Sequence, residues 1–256
     1  MIPISETTIT RAWLASVQAL EQSDRDVFSL VASIASPGEP TGVEALVRRH
    51  IDGVLTAAGL QDTQTVANTV FPVALASQRP ASALYDAYRT RAFPVLRRIP
   101  QNKRGTYFLR MIERKSRDAR EQQVWNPLEE MLDKMRAELR RGHHALRCAY
   151  ELAVYDPAED ARVRMGFPCL SHVSIKMDPA AHLVHLTALY RNQRYIERAY
   201  GNFLGLARLQ AFIAREVGLE VGELVCHATH AQIDHLGTHA VQELLQKSER
   251  LLMEAS

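Results

Sequence analysis

Five segments of the chain repeat apolar residues every three or four positions, the spacing that places them on one face of an α-helix. Thr10 can cap the first segment, and Gly59 stands just beyond the second, where helices commonly end. Gly201 and Gly205 lie inside the fourth segment and would let another backbone approach closely. The pattern therefore predicts a helix after Thr10 and further helices at 43–58, 125–142, 195–218 and 237–254.

From residue 145 onward the apolar pattern changes to alternation, the period of a half-buried strand. It predicts strands within 145–157, 171–177, 183–192 and 222–233. Residues 60–104 mix apolar runs with Pro, Gly and Arg, which favours loops and short helices. No repeat, low-complexity tract or linker interrupts the chain. We therefore predict an α+β fold and a single domain over residues 1–256.

Composition narrows the class of protein. The chain has 256 residues, 46% of them hydrophobic, and a formal net charge of +2, which is too balanced for non-specific binding to nucleic acid. Neither a signal peptide nor about 18 uninterrupted apolar residues occur, so we expect no membrane contact and no secretion. The cysteines Cys148, Cys169 and Cys226 lack the spacing of a disulfide framework or a structural zinc site. A reducing cytoplasm is the expected location.

Cys169 stands at the start of a predicted strand, directly after Phe167 and Pro168. Taken alone, a cysteine at such a position is usually a small core residue. The motifs that follow it along the chain are "LYRNQR", then "YGNFLGLARLQAFIAREVGLEVGEL", then "HAQID"; "AVYDP" precedes it. Their order resembles that of the thymidylate synthase and pyrimidine-nucleotide hydroxymethylase superfamily over roughly residues 125–236. The resemblance implies a large mixed or antiparallel sheet with helices around it.

The chemistry of that superfamily needs a thiolate. C5 of a pyrimidine is a poor nucleophile until a thiolate adds at C6, and the resemblance assigns this role to Cys169. It makes Arg191 the phosphate clamp and the stabiliser of the thiolate, followed by Asn192. An alternative register selects Gln193 and Arg194 instead and requires a three-residue deletion, so we prefer the ungapped one.

Base and sugar recognition are also implied by the resemblance. Asn202 would read O4 and N3 of a uracil-like base, because an amide offers both a donor and an acceptor. Gln232 and Asp234 replace the His and Tyr that contact the sugar in the superfamily, which leaves an altered sugar open. Arg147 corresponds to an arginine that reaches the partner's phosphate site in a homodimer. Tyr107, in "RGTYF", is our candidate for the acid or base that handles the C5 proton.

The resemblance implies a substrate, a cofactor and an assembly. We expect a pyrimidine nucleoside monophosphate, 5,10-methylenetetrahydrofolate as the one-carbon donor, and a homodimer. Two departures from the superfamily bear on the reaction. Arg194 stands where the superfamily carries an Asp, and only Gln64 or Asn68 lies near the position of the acidic residue that organises water in the superfamily. Uracil or cytosine, ribose or deoxyribose, and a methyl or hydroxymethyl product all stay open.

Two other functions compete. The stretch "CHATHAQIDHLGTH" (226–239) is rich in potential metal ligands and would suit a metal-dependent hydrolase if it were helical. The alternation of apolar and polar residues favours a strand instead, and Gly237 would interrupt a helix, so we predict no metal site. The second competitor is a catalytically silent nucleotide-binding protein with the same fold. The joint presence of Cys169, Arg191 and Asn202 argues against that reading.

Overall fold

A computed structural model of the chain describes residues 1–115, 124–141 and 148–254. Its centre is a mixed sheet of seven strands within these ranges. A separate two-stranded sheet is formed by β3 and β4. The strands are β1 (Ile2–Glu6), β2 (Asp26–Ile34), β3 (Arg114–Lys115), β4 (Val124–Trp125), β5 (Tyr150–Ala153), β6 (Leu170–Asp178), β7 (Leu183–Tyr190), β8 (Gln193–Arg194) and β9 (Glu220–Gln232).

The strand order of the large sheet is β1, β2, β9, β7, β6, β5, and β8 also pairs with β9. The β1–β2, β7–β9 and β8–β9 pairs are parallel, whereas β2–β9, β6–β7 and β5–β6 are antiparallel. The first residues of β6 and the last residues of β7 and β9 consequently come together beside β8. That edge of the sheet carries most of the residues selected from the sequence.

Helices occupy the predicted segments and much of the stretch in between. They are α1 (Ile9–Glu21), α2 (Gly42–Ala57), α3 (Thr63–Val70), α4 (Val73–Ala76), α5 (Ala81–Ala87), α6 (Phe93–Leu96), α7 (Tyr107–Ile112), α8 (Pro127–Arg141), α9 (Pro157–Asp160), α10 (Tyr200–Val217) and α11 (Thr238–Met253). A π-helical turn, 195–199, leads into α10. The structure thus confirms an α+β architecture with a large mixed sheet. None of the helices in the described ranges has the length and apolar character needed to cross a membrane.

Two details of the N-terminal region differ from the sequence-based prediction. Thr8, not Thr10, caps α1, because the Thr8 hydroxyl accepts a hydrogen bond from the Arg11 N–H. The Thr10 hydroxyl is buried and bonds Tyr200 Oη at 2.9 Å. Strands β1 and β2 were not predicted, and they form one edge of the sheet through their parallel pairing.

The helix α10 is buried along most of its length and packs on both the sheet and α3. A Cβ atom added at Gly201 would lie 2.5 Å from Val66 Cβ, and one at Gly205 would lie 2.6 Å from Val70 Cβ. These distances are far shorter than van der Waals contact. The two glycines therefore permit α10 and α3 to touch, as the sequence predicts.

An ion pair buried in the protein interior anchors α7 to α9. Arg110 donates to Asp160 through two nitrogens at 2.6 and 3.0 Å, and the Asp160 side chain is fully buried. Arg110 also donates to the carbonyl oxygens of Arg104 and Val154. Since α7 begins at Tyr107, this contact fixes the position of that residue.

Candidate functional site

A cleft of about 620 Å³ opens at the edge where β6, β7, β8 and β9 meet α7 and α10. Its volume is within the range of about 300–1,000 Å³ typical of small-molecule sites. Six of the eight site residues proposed from the sequence line it. They are Tyr107, Cys169, Arg191, Asn192, Asn202 and Gln232.

Cys169 lies in the cleft at the end of the Phe-Pro-Cys turn (167–169), immediately before β6. The residue is half-buried, and its carbonyl oxygen accepts a hydrogen bond from the Arg191 N–H at 2.9 Å. Burial raises the pKa of the Cys169 thiol, while the positive charges of Arg191, Arg194 and Arg198 act in the opposite direction. Burial therefore favours the thiol, with three cations placed to favour the thiolate.

Arg191 binds the turn that carries Cys169. Its Nε donates to the carbonyl oxygen of Pro168 at 3.0 Å, and its Nη2 donates to that of Phe167 at 2.9 Å. The guanidinium carbon also lies 3.6 Å from the centroid of the Phe167 ring, a cation–π contact. Arg191 thus positions the turn as well as lining the cleft, and Gln193 and Arg194 of the alternative register also line it.

Tyr107 is the first residue of α7 and faces the same cleft. Its ring contacts that of Tyr190 edge to face, with 6.2 Å between the centroids. Burial, followed by the nearby Cys169, raises the pKa of Tyr107 well above its ordinary value of about 10. Backbone groups of Leu170 and Cys169 partly offset this effect. The phenol consequently keeps its proton at neutral pH.

Asn202 lies at the buried floor of the cleft, on the first turn of α10. Its Nδ2 donates to Gln193 Oε1 at 3.3 Å. Asn192 and Gln232 form a second amide pair, in which Gln232 Nε2 donates to Asn192 Oδ1 at 3.1 Å. The cleft therefore presents amides as hydrogen-bonding groups beside a cluster of arginines.

Asp234 does not belong to the described residues that line the cleft. Its Oδ1 accepts a hydrogen bond from the Glu197 N–H at 3.5 Å, and its Oδ2 lies 3.9 Å from Arg194 Nε. Burial raises the pKa of Asp234, whereas His235 and Arg194 act against that change. Asp234 thus lies beside Arg194, which is a residue of the cleft wall. Arg147 lies outside the described residues.

Most of the potential metal ligands of 226–239 have separate partners. Cys226 is buried in the core, His227 bonds Ser29, and His230 bonds Asp26. Over the described ranges, one group of three ligand atoms lies within 4.8 Å: Glu197, Asp234 and His235. Arg194 and Arg198 both pair with Glu197, so guanidinium groups already balance the negative charge.

Several cleft residues were not assigned a role in the sequence analysis. Gln193 is 1% exposed and contacts Asn202, and His230 is on the same strand as Gln232. Arg104 and Arg198 add positive charge to the walls. The even spacing of His230 and Gln232 along a strand indicates that they share a face, whereas the sequence pointed to Gln193 only through the alternative register.

Gln64 and Asn68, considered as replacements for an acidic residue, bond each other at 3.1 Å. Gln64 Oε1 also accepts from Arg48 and Arg208, at 3.0 and 2.9 Å. Neither side chain belongs to the described lining of the cleft, although Val66 and Thr69 of the same helix do. The described part of the cleft therefore has no carboxylate in this place.

Comparison with known proteins gives one partial similarity. A protein of Methanothermobacter thermautotrophicus described as "Putative thymidylate synthase" is 30% identical to this chain over 95 residues. The match covers 37% of this chain and 41% of that protein, so it spans less than half of the relative's length. No family model matches the chain. The similarity is distant and hints at the thymidylate synthase family without establishing membership.

Proposed function

We propose that this protein transfers a one-carbon unit from 5,10-methylenetetrahydrofolate to C5 of a pyrimidine nucleoside monophosphate. The observation that carries the proposal is the assembly of Cys169, Arg191 and Asn202 in one cleft, although they come from a turn, a strand end and a helix. A nucleophile, a cation and an amide are the groups that this chemistry requires. The partial similarity to a thymidylate synthase agrees with it.

Covalent catalysis begins at Cys169. Addition of its thiolate to C6 of the base forms an S–C6 bond, breaks the C5–C6 double bond and leaves C5 electron-rich. Arg191, Arg194 and Arg198 favour the thiolate, opposing the effect of burial on the pKa of Cys169. A substrate phosphate placed among these arginines would be bound by charge-assisted hydrogen bonds.

The folate would supply the one-carbon unit when bound. Apolar and amide groups in the lining of the cleft suit a flat, hydrogen-bonding ring, and they belong to Val66, Pro100, Gln101, Asn102 and Met165. The cleft volume leaves room for more than a small substrate. The residues present therefore fit this cofactor.

Tyr107 is our candidate for handling the proton that leaves C5. Because its pKa is raised, it is a phenol rather than a phenolate at neutral pH. It can therefore hold a water molecule beside C5 and exchange protons with it, whereas it is a poor base by itself. Gln232 and Asn192 would bind sugar hydroxyls, with Asp234 acting through Arg194.

Release of tritium from C5-labelled nucleotides tests the proposal. Labelled dUMP, UMP, dCMP and CMP are incubated with the protein, with and without methylenetetrahydrofolate, and Cys169→Ala is compared with the wild type. We expect folate-stimulated release from one nucleotide and no release by Cys169→Ala. The responding nucleotide identifies both base and sugar. Absence of release from all four by folded wild-type protein would refute the proposal.

A silent nucleotide-binding protein is the second candidate, and two observations favour it. Burial raises the pKa of Cys169, and two of the Arg191 nitrogens already donate to backbone carbonyl oxygens. A site that binds without reacting would show nucleotide binding, protection of Cys169 from alkylation, and no tritium release. The same labelled nucleotides therefore distinguish the two candidates.

A further inference from the structure

Gln193 and Asn202 form a pair of buried amides at the floor of the cleft. Gln193 is 1% exposed and Asn202 is 2% exposed, and both belong to its lining. The Asn202 Nδ2 to Gln193 Oε1 hydrogen bond uses one group of each amide. The remaining groups, Asn202 Oδ1 and Gln193 Nε2, have no hydrogen-bond partner among the described residues.

Buried polar atoms are nearly always paired in native proteins, because an unpaired one loses its hydrogen bonds to water without replacement. In this pair, the acceptor Asn202 Oδ1 and the donor Gln193 Nε2 both lack a partner among the described residues. If the oxygen and nitrogen atoms of both amides are exchanged, Gln193 Nε2 donates to Asn202 Oδ1. The atoms without a partner are then Asn202 Nδ2 and Gln193 Oε1, which are again one donor and one acceptor. A ligand that satisfies both must carry a donor next to an acceptor.

We propose that Gln193 is a second base-reading residue, which acts with Asn202 on the N3–H and O4 edge of a uracil-type base. This inference rests on the proposed pyrimidine-nucleotide substrate. Asn202 Oδ1 accepts from N3–H, and Gln193 Nε2 donates to O4. Neither atom is open to water, so the amides turn about their terminal torsions, which have broad minima, to meet the base.

Position in the fold supports this role for Gln193. It belongs to β8, which pairs with the end of β9 through Gln193 and Ala231, next to the cleft residue Gln232. The strand therefore fixes its backbone, while Asn202 is fixed by α10. Two rigid elements consequently hold the two amides, and a rigid pair discriminates better than loop residues.

Substitution of Gln193 by Glu provides the sharpest test. Gln193→Glu keeps the shape and replaces the unpaired donor with an acceptor, which opposes O4 of uracil and suits the N4 amine of cytosine. Dissociation constants of dUMP, dCMP, UMP and CMP are measured by calorimetry for the wild type and the variant. We expect the preference for uracil over cytosine nucleotides to fall by about tenfold or more.

Gln210→Glu is the matched control. Gln210 is also a fully buried glutamine, but it lies on α10 away from the cleft, where its Nε2 donates to the carbonyl oxygens of Val184 and Gly222. This variant lowers stability and leaves the base preference unchanged. If Gln193→Glu does not fold by circular dichroism, Gln193→Met replaces it, and we expect weaker binding of uracil nucleotides by about tenfold.

The outcomes separate this inference from the proposed function. An unchanged base preference in Gln193→Glu, or unchanged uracil binding in Gln193→Met, overturns the role of Gln193 while tritium release by the wild type still supports the transferase. A shifted preference without any tritium release supports the base reader and refutes the transferase. If the wild type binds none of the four nucleotides, both the base-reading role of Gln193 and the proposed transferase function are refuted.

Discussion

At the scale of single residues, burial and positive charge have opposite effects on the pKa of the Cys169 thiol. Burial raises the pKa of Cys169, and Arg191 is the foremost of three arginines that lower it. The same Arg191 donates to the carbonyl oxygens of the turn that carries the cysteine. Reactivity and position of the nucleophile therefore depend on one guanidinium.

The first prediction concerns the alkylation of Cys169 as a function of pH. Since the thiolate reacts and the pKa is raised, the rate of modification by iodoacetamide should climb with pH and reach half its maximum above about 8.5. Arg191→Gln should move this midpoint higher still. Peptide mapping by mass spectrometry separates Cys169 from the exposed Cys148.

Arg215→Gln serves as the control for alkylation, because Arg215 is exposed on α10 and pairs with Glu216. It should leave the midpoint where it is in the wild type. A wild-type midpoint at or below about 8.5 would contradict the prediction, as would an Arg191→Gln midpoint that does not rise.

The sequence predicted the residues with distinctive chemistry better than those that act in pairs. Cys169, Arg191 and Asn202 were found because their types and order are informative, and the structure brings all three to one cleft. Gln193 was missed as a candidate reader because its role depends on contact with Asn202, nine positions away across a strand and a π-helical turn. Asp234 was expected at the sugar, but the chain turns it toward Glu197.

At the scale of elements, α7 places Tyr107, and one buried ion pair holds α7. Arg110 and Asp160 form two parallel hydrogen bonds, with side chains 5% and 0% exposed. Asp160 also accepts from the Asp156 N–H at 2.9 Å. Removing one partner of such a pair leaves an uncompensated charge in the interior.

The second prediction follows from this pair. Asp160→Asn should lower the free energy of unfolding by about 3–5 kcal/mol at pH 7, measured by urea denaturation. Arg110 lowers the pKa of Asp160, so its contribution is complete above the ordinary Asp pKa of about 3.9 and disappears as pH falls through the lower folded value. The difference between wild type and variant should therefore shrink below about pH 4.

Asp133→Asn is the control for the ion pair, since Asp133 is 69% exposed and bonds Arg136 at the surface. Its effect should stay below about 1 kcal/mol. Equal destabilisation by the two substitutions, or a pH-independent difference for Asp160→Asn, would contradict the interpretation.

The third prediction concerns the contact of α10 with α3. Gly201→Ala adds a methyl group 2.5 Å from Val66 Cβ and 2.8 Å from the Thr63 carbonyl oxygen. Overpacking costs about 1–3 kcal/mol, which exceeds the gain of up to about 1 kcal/mol from the better helix propensity of alanine. Thermal and urea denaturation should show a net loss. Gly53→Ala, at an exposed position of α2 with no neighbour within 4 Å, should instead raise stability.

The elements differ in how well the sequence predicted them. The long helices α2, α8, α10 and α11 were found because a full apolar face repeats along each. Strands β1 and β2 escaped because five and nine residues give few periods, and β2 contains Ser29 in a left-handed conformation at φ 66°. Pairing with β9, over 190 residues away, is what makes β2 a strand. Such long-range pairing has no local signal.

At the scale of the whole molecule, alternate side chains of β7 are buried, and those between them lie on a face, here called the open face, where Thr187 and Leu189 are exposed in the described part of the chain. Leu189 is 36% exposed on the open face, beside His172 on β6 and His227 on β9. Thr187, two residues earlier, is exposed beside Ser174. The resemblance noted in the sequence implies a homodimer, and this open face is where we expect the partner.

The fourth prediction is the mass of the particle in solution. Sedimentation velocity at micromolar concentration should give a dimer, and Thr187→Arg with Leu189→Arg should give a monomer, because four buried cations would face each other across a twofold contact. Glu243→Arg, at an exposed position of α11, should leave the dimer intact. A monomeric wild type would contradict the prediction.

Val66 contacts two parts of the molecule at once. One side of it lies against Gly201, and the residue also belongs to the lining of the cleft. The packing of α3 on α10 therefore shapes the part of the cleft that Val66 lines. An engineer who wished to admit a bulkier ligand would begin with Val66→Ala, a position to which no catalytic or base-reading role is assigned, and leave the arginines and the cysteine as they are. Selectivity for size, in this protein, would then be a property of helix packing.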